Sequence, residues 1–132
     1  MPAIPGFSDA ELWVVESTLK ERYGREVPLE VAVSELQLDP SSSELTACPT
    51  LHWTQDGVGF VINKIAEGRY RAQFYYSVYD QYRTDREAFD DLGECLGVLL
   101  KLQADTARER AGATSGADAS SLSSPFTQFI DF

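Results

Sequence analysis

The chain has 132 residues, 43% of them hydrophobic and 24% charged, which suits one ordinary domain with a short extension. Its 21 acidic and 11 basic residues give a formal net charge of −10, which argues against partners that attract positive charge, namely nucleic acids and anionic membranes. The sequence shows neither a signal peptide nor the roughly 18 apolar residues of a membrane span, so we expect a cytoplasmic protein with reduced cysteines.

The first predicted element is a helix over residues 8–23. Ser8 and Glu11 have the spacing of a capping box, in which each side chain accepts a hydrogen bond from the other residue's backbone amide. Gly24 is a natural stop for this helix. Apolar residues then recur at helical spacing, and these are Leu12, Val15, Leu19 and Tyr23.

Four strands are predicted next, because apolar and polar residues alternate with a period of two. The first covers 27–33, and a slip in its alternation near Ser34 predicts a β-bulge. The second covers 49–54, and the pair Asp56-Gly57 predicts a tight turn into a third strand that starts at Val58. The fourth is long, from Arg69 to about Tyr82.

A second capping box, in residues 84–87, predicts the start of a long C-terminal helix that ends near Gly112. Gly93 and Gly97 lie one turn apart in it, and their low helix propensity predicts close packing of a neighbouring element at this face. The predicted buried stripe consists of Phe89, Leu92, Leu96, Leu99 and Leu100.

The predicted fold class is therefore α+β, a four-stranded antiparallel β-meander flanked by an N-terminal helix and a long C-terminal helix, in the order α-β-β-β-β-α. Residues 1–111 form the predicted domain. Residues 112–124 are rich in Ser, Ala and Gly and predict a flexible linker, and residues 125–132 form an apolar docking tail.

The sequence lacks a recognisable catalytic motif, so we expect no catalytic residue, no metal ligand and no cofactor. Cys48 and His52 are the strongest residues for an alternative, in which a pocket near Cys48, His52 and Trp53 serves a small ligand or an enzymatic reaction. Their spacing alone is weak evidence, and an ordinary structural role explains both residues.

The outward face of the predicted fourth strand carries Tyr75 and Tyr79 together with Arg71. Tyrosine and arginine are enriched where proteins bind one another, so these residues are candidate partner-binding residues. The alternative explanation is that tyrosine simply favours strands.

The predicted tail follows a stretch with little to bury. Its phenylalanines Phe126, Phe129 and Phe132 recur every three residues, and Ile130 adds a fourth apolar side chain. Aromatic anchors at helical spacing bind apolar grooves. The tail therefore folds back on its own domain or docks into another molecule.

Together these features predict a small acidic, non-catalytic adaptor, chaperone or regulatory subunit. Its expected partner is another protein with a basic or apolar groove, and a second copy of the chain is the alternative partner. We expect neither a nucleic acid nor a membrane as a partner, because the net charge is −10.

Overall fold

The computed structural model describes residues 4–84 and 86–120, which form an α+β fold with two helices and one antiparallel sheet. The sheet has five strands in sequential order. The chain divides into two compact units, one up to Leu99 and one from Leu100 onward. The elements are α1 (Asp9–Tyr23), β1 (Glu30–Leu36), β2 (Thr46–Gln55), β3 (Val58–Ala66), β4 (Arg69–Ser77), β5 (Asp80–Arg83) and α2 (Leu92–Ser120).

The capping box at the start of α1 is present as the sequence predicts. The backbone amide of Glu11 donates to Ser8 Oγ (3.1 Å), and the Ser8 amide donates to Glu11 Oε1 (2.7 Å). The helix ends at Gly24, whose φ of 72° is left-handed and whose amide donates to the Lys20 carbonyl oxygen (2.8 Å). These contacts are local, which is why the sequence alone specifies them.

The predicted bulge in β1 is wrong. β1 pairs with β2 in an unbroken register from Glu30 opposite His52 to Leu36 opposite Thr46. The alternation shifts because the apolar residues of β1 serve both faces of the sheet: Val31 lies on one face, and Leu36 lies on the other, which also carries the buried Cys48.

The long fourth strand of the prediction is in fact a hairpin, which gives the sheet its fifth strand. β4 ends at Ser77, which pairs with Asp80 at the start of β5. The turn contains neither Gly nor Pro, and the Ser77 hydroxyl stabilises it by accepting a hydrogen bond from the Tyr79 amide (3.2 Å). The alternating pattern continues through the turn and conceals it.

The second helix begins at Leu92 and not at the predicted capping box. Thr84 Oγ1 donates to the Arg86 carbonyl oxygen (3.1 Å) instead of capping a helix. The backbone of Phe89 exchanges two hydrogen bonds with Tyr70 (2.9 and 2.8 Å), which holds this segment extended until Asp91 caps α2 by accepting from the Glu94 amide (3.2 Å).

The helix α2 continues through Ser120, so residues 112–120 of the predicted flexible linker are helical. This stretch contains three alanines, which favour a helix, but also two glycines, which do not, so its composition alone does not predict the helix. Residues 121–124 of the predicted linker and the predicted tail 125–132 lie outside the described residues.

The sheet has two faces with different surroundings. The core face carries large buried side chains, namely Leu51, Trp53, Phe60, Ile62 and Phe74. Val15 and Leu19 of α1, Phe89, and Leu96 and Leu99 of α2 are also fully buried. The opposite face, called the open face below, carries one cross-strand row of Ala32, Thr50, Asn63 and Arg71.

A buried ion pair joins α1 to the core face of the sheet. Lys64, whose side chain is 2% exposed, lies 2.9 Å from Glu11 Oε1 and donates to the Gly6 carbonyl oxygen (3.1 Å). The Tyr70 hydroxyl donates to the other oxygen of Glu11. Glu11 therefore serves the capping box and the ion pair at once, and it fixes the start of α1 on β3 and β4.

This pairing makes stability depend on pH. Burial on its own raises the pKa of Glu11, but hydrogen bonds from Tyr70, the Ser8 backbone and Lys64 outweigh it and leave the pKa below its ordinary 4.5. The contribution is therefore present above pH 4.5 and is lost as the pH falls through the lower, folded value. We expect the free energy of unfolding, measured in urea, to fall less for Glu11→Gln than for the wild type as the pH is lowered below 4.5. A Glu16→Gln variant, altered on the exposed side of α1, serves as the control. If the free energy of unfolding of Glu11→Gln changed with pH as steeply as that of the wild type, Glu11 would not be the source of the pH dependence.

The close packing predicted at Gly93 and Gly97 is wrong, since both residues are exposed. A Cβ at Gly97 would meet no described atom within 4 Å, whereas one at Gly93 would lie 3.2 Å from the capping oxygen of Asp91. We expect Gly97→Ala to raise the free energy of unfolding by about 1 kcal/mol through helix propensity alone. Gly93→Ala should gain less, and chemical denaturation measures both. If Gly97→Ala lowered the free energy of unfolding, the added methyl group would have to clash with a neighbouring atom, which would contradict the open space at Gly97.

Candidate functional site

Three side chains form a polar relay across the open face. His52 Nδ1 lies 2.8 Å from Glu30 Oε1, and its Nε2 lies 2.7 Å from the Tyr75 hydroxyl. An ionised carboxylate only accepts, so in the neutral ring Nδ1–H donates to Glu30 and Nε2 accepts from Tyr75. A carboxylate, an imidazole and a hydroxyl in this order can hold the imidazole proton on Nδ1. The three side chains lie on the sheet surface, however, and none of them lines the cleft formed by the β1–β2 connection, β4 and the segment after β5.

Gly59 explains why the Tyr75 ring lies flat on the sheet. The two residues are direct partners in the pairing of β3 and β4. A Cβ at Gly59 would lie 2.1 Å from Tyr75 Cζ, so only glycine leaves room for the ring. The tyrosine thus covers a glycine gap and stacks beside His52, with ring centroids 6.0 Å apart.

The structure separates the three candidate residues predicted on the fourth strand. Tyr75 belongs to the relay, and Arg71 lines the cleft described below. Tyr79 lies in the β4–β5 turn and is 96% exposed, next to Val78, which is 72% exposed. The predicted tail residues lie outside the described residues, and these are Phe126, Phe129, Ile130 and Phe132.

The alternative pocket near Cys48, His52 and Trp53 is not formed. Trp53 is buried on the core face, whereas Cys48 and His52 lie on the open face. His52 lies four positions after Cys48 along the strand, about 13 Å away, which is too far for a nucleophile and its base. Within residues 4–84 and 86–120, no group of three His, Cys, Asp or Glu side chains could hold a metal ion.

Both thiols are shielded from reagents. Cys48 and Cys95 are free cysteines with no exposed surface. Burial raises the pKa of both, that of Cys95 to about 12, so little reactive thiolate forms near neutral pH. We expect Ellman's reagent to modify neither thiol in the native protein and both after denaturation in urea. Rapid reaction of one equivalent with the native protein would contradict the burial.

The surface that sequence reasoning missed is the edge strand β1. Val31 and Val33 are 66% and 68% exposed although they share a face with buried Leu51. β1 pairs only with β2 in the sheet order, so one side of its backbone has no strand partner among the described strands. A long apolar edge strand is a site where another chain can add a strand.

The surroundings of β1 are acidic. From Glu26 to Asn63 the sequence has six acidic residues and no Lys or Arg. Two of the acids lie on β1 itself, Glu30 on the open-face side and Glu35 on the side of the two valines. The edge therefore combines apolar side chains with an excess of negative charge, a pattern visible in the sequence once β1 is known to be an edge.

No protein-family model, curated protein or solved structure matches this chain. Neither of the two helices in the described part of the chain is long and apolar enough to cross a membrane. The chemistry of the described surfaces is therefore the basis for a functional assignment.

Proposed function

We propose that this protein is a cytoplasmic, non-catalytic adaptor, chaperone or regulatory subunit that binds an extended segment of a partner protein along β1. The observation that carries the proposal is the apolar edge of β1, where Val31 and Val33 are 66% and 68% exposed. A partner strand would satisfy the unpaired backbone groups and cover both valines.

The charges around β1 indicate the chemistry of the partner. An added strand alternates its side chains between the two faces. On the valine side apolar residues fit Val31 and Val33, and on the other side a basic residue fits Glu30. The expected partner segment therefore alternates apolar and basic residues.

A second copy of the chain fits β1 less well. Each β1 carries two acids, Glu30 and Glu35, and no basic residue. Pairing two such strands would bring four carboxylates together without a counter-charge, which is unfavourable. A different protein is therefore the better occupant of this edge.

The tail 125–132 is the second proposed contact, on the basis of its sequence. Its residues Phe126, Phe129, Ile130 and Phe132 provide apolar anchors for a groove on the partner. Tyr79 is a further candidate for contact with the partner, since its side chain is 96% exposed and a partner can cover it without any change in the fold.

Peptide titration of the full-length protein tests the β1 proposal, with backbone amide NMR shifts as the readout. The probe is an alternating valine–lysine peptide as long as β1 (7 residues), and the matched control peptide is alternating valine–glutamate. We expect saturable shifts along Glu30–Leu36 with the first peptide and none along the other edge strand, Asp80–Arg83.

Variants give this titration a matched control. Val33→Lys should weaken the valine–lysine peptide about tenfold by removing an apolar contact and adding a like charge. Val78→Lys makes the same change at a similarly exposed valine far along the chain and should leave affinity unchanged. Equal binding of both peptides, or equal loss in both variants, would overturn the proposal.

A further inference from the structure

A cleft of about 290 Å³ lies where the β1–β2 connection meets β4 and the segment after β5. Leu38 and Pro40 contribute an apolar wall. Arg71, Arg83 and Arg86 contribute three guanidinium groups, and Glu87 contributes one carboxylate. The volume is close to the lower end of small-molecule sites, roughly 300 Å³. This concentration of positive charge is unusual in a chain with a net charge of −10.

Two of the three arginines lack a carboxylate partner among residues 4–84 and 86–120. Arg71 donates from Nε to the neutral carbonyl oxygen of Glu87 (3.4 Å), and Arg83 forms no ion pair with any residue that the structure describes. By contrast, Arg69 at the start of β4 pairs with Asp90 (3.4 Å). Among residues 4–84 and 86–120, the cleft therefore holds two guanidinium groups, those of Arg71 and Arg83, without a carboxylate partner.

The sheet register brings Arg71 and Arg83 close to each other. Arg83 pairs with Gln73, and Arg71 lies two residues before Gln73 on the same face. Diagonal neighbours of this kind have their Cα atoms about 7–8 Å apart. The guanidinium groups of Arg71 and Arg83 line the same cleft, where like charges repel, and an anion placed between them would turn the repulsion into attraction.

The remaining parts of the cleft are held in place. Arg86 stacks on the Phe89 ring (4.3 Å to its centre) and lies 2.9 Å from Glu94. In the β1–β2 connection, Asp39 accepts from the Ser41 amide (2.9 Å) and hydroxyl (2.7 Å), which stabilises the turn that carries Leu38 and Pro40. A site that is ordered before binding loses less entropy when the ligand arrives.

We infer that this cleft binds a phosphate monoester of a small molecule. A phosphoryl group carries up to two negative charges and three acceptor oxygens, which matches the two guanidinium groups of Arg71 and Arg83, whereas a carboxylate is satisfied by one bidentate arginine. Leu38 and Pro40 provide a surface for the organic group. The site is separate from the β1 edge and does not depend on the proposed function.

Calorimetric titration of the full-length protein with phenyl phosphate tests the assignment, with benzoate and inorganic phosphate as comparison probes. We expect saturable one-to-one binding of phenyl phosphate and binding at least about tenfold weaker for the other two. Arg83→Gln should lower the affinity for phenyl phosphate about tenfold, because it removes a guanidinium group that contacts the phosphate. The variant should still fold, because Arg83 is exposed. Arg69→Gln removes the same charge from a paired arginine outside the cleft and should leave affinity unchanged.

Three results would overturn the inference. Phenyl phosphate that fails to saturate shows that the cleft is not a phosphate site. Benzoate that binds as tightly as phenyl phosphate shows a general anion site. Equal weakening in Arg83→Gln and Arg69→Gln shows that the protein's overall charge, and not the cleft, governs binding.

Discussion

Replacing Lys64 with alanine is expected to lower the free energy of unfolding by about 3 kcal/mol. Lys64 is 2% exposed in its side chain and neutralises Glu11, which is 14% exposed. Without the ammonium group, the Glu11 carboxylate stays in a largely buried position with no counter-charge close to it, and the Gly6 carbonyl oxygen loses its donor. Urea denaturation followed by circular dichroism measures the change.

Two comparisons show whether burial is the cause. Lys20→Ala breaks an exposed pair with Glu26 (3.9 Å), and we expect it to cost less than about 1 kcal/mol. The double variant Lys64→Met and Glu11→Gln removes both charges and should be more stable than Lys64→Ala. If Lys64→Ala cost no more than Lys20→Ala, the ion pair would not anchor α1.

The second large effect is expected at Gly59, where alanine should destabilise the protein by about 2 kcal/mol. The new Cβ would lie 2.1 Å from Tyr75 Cζ, so the ring must move. That movement breaks the hydrogen bond between the Tyr75 hydroxyl and His52 (2.7 Å) and with it the relay to Glu30. The His52 ring signals in an NMR spectrum should shift at the same time.

A double-mutant cycle isolates this contact. In a Tyr75→Ala background the ring is absent, so Gly59→Ala should cost close to nothing. The coupling energy then equals most of the single-variant effect. Additive costs in the two variants would show that Gly59 is needed for some reason other than the Tyr75 ring.

The elements that the sequence predicts correctly depend on neighbouring residues. The capping box of Ser8 and Glu11 and the Asp56-Gly57 turn are local, and both are present. The start of α2 was mispredicted because Phe89 pairs with Tyr70, nearly twenty residues away, and this pairing overrides a local capping signal. The β4–β5 turn was missed because a serine hydroxyl stabilises it instead of a glycine.

The candidate surfaces depend on topology, which explains what the sequence could not predict. Alternation in β1 indicates which residues share a face, but it does not indicate that β1 is an edge or that Val31 and Val33 stay exposed. The cleft joins three segments that are distant in the chain, so Arg71 could be predicted as an outward residue but not as a neighbour of Arg83. The sequence pattern places Tyr79 on the same face as Tyr75 because it does not reveal the β4–β5 turn, in which Tyr79 lies.

Site-specific photo-crosslinking in native lysate shows whether β1 binds a partner protein. A photoreactive amino acid replaces Val33 of β1 in one full-length variant and Val78 of the β4–β5 turn in the other, and both valines are exposed. We expect a heterologous adduct at position 33, mapped to a segment that alternates apolar and basic residues, and no matching adduct at position 78. Adducts only between copies of this chain, or only at position 78, would contradict it.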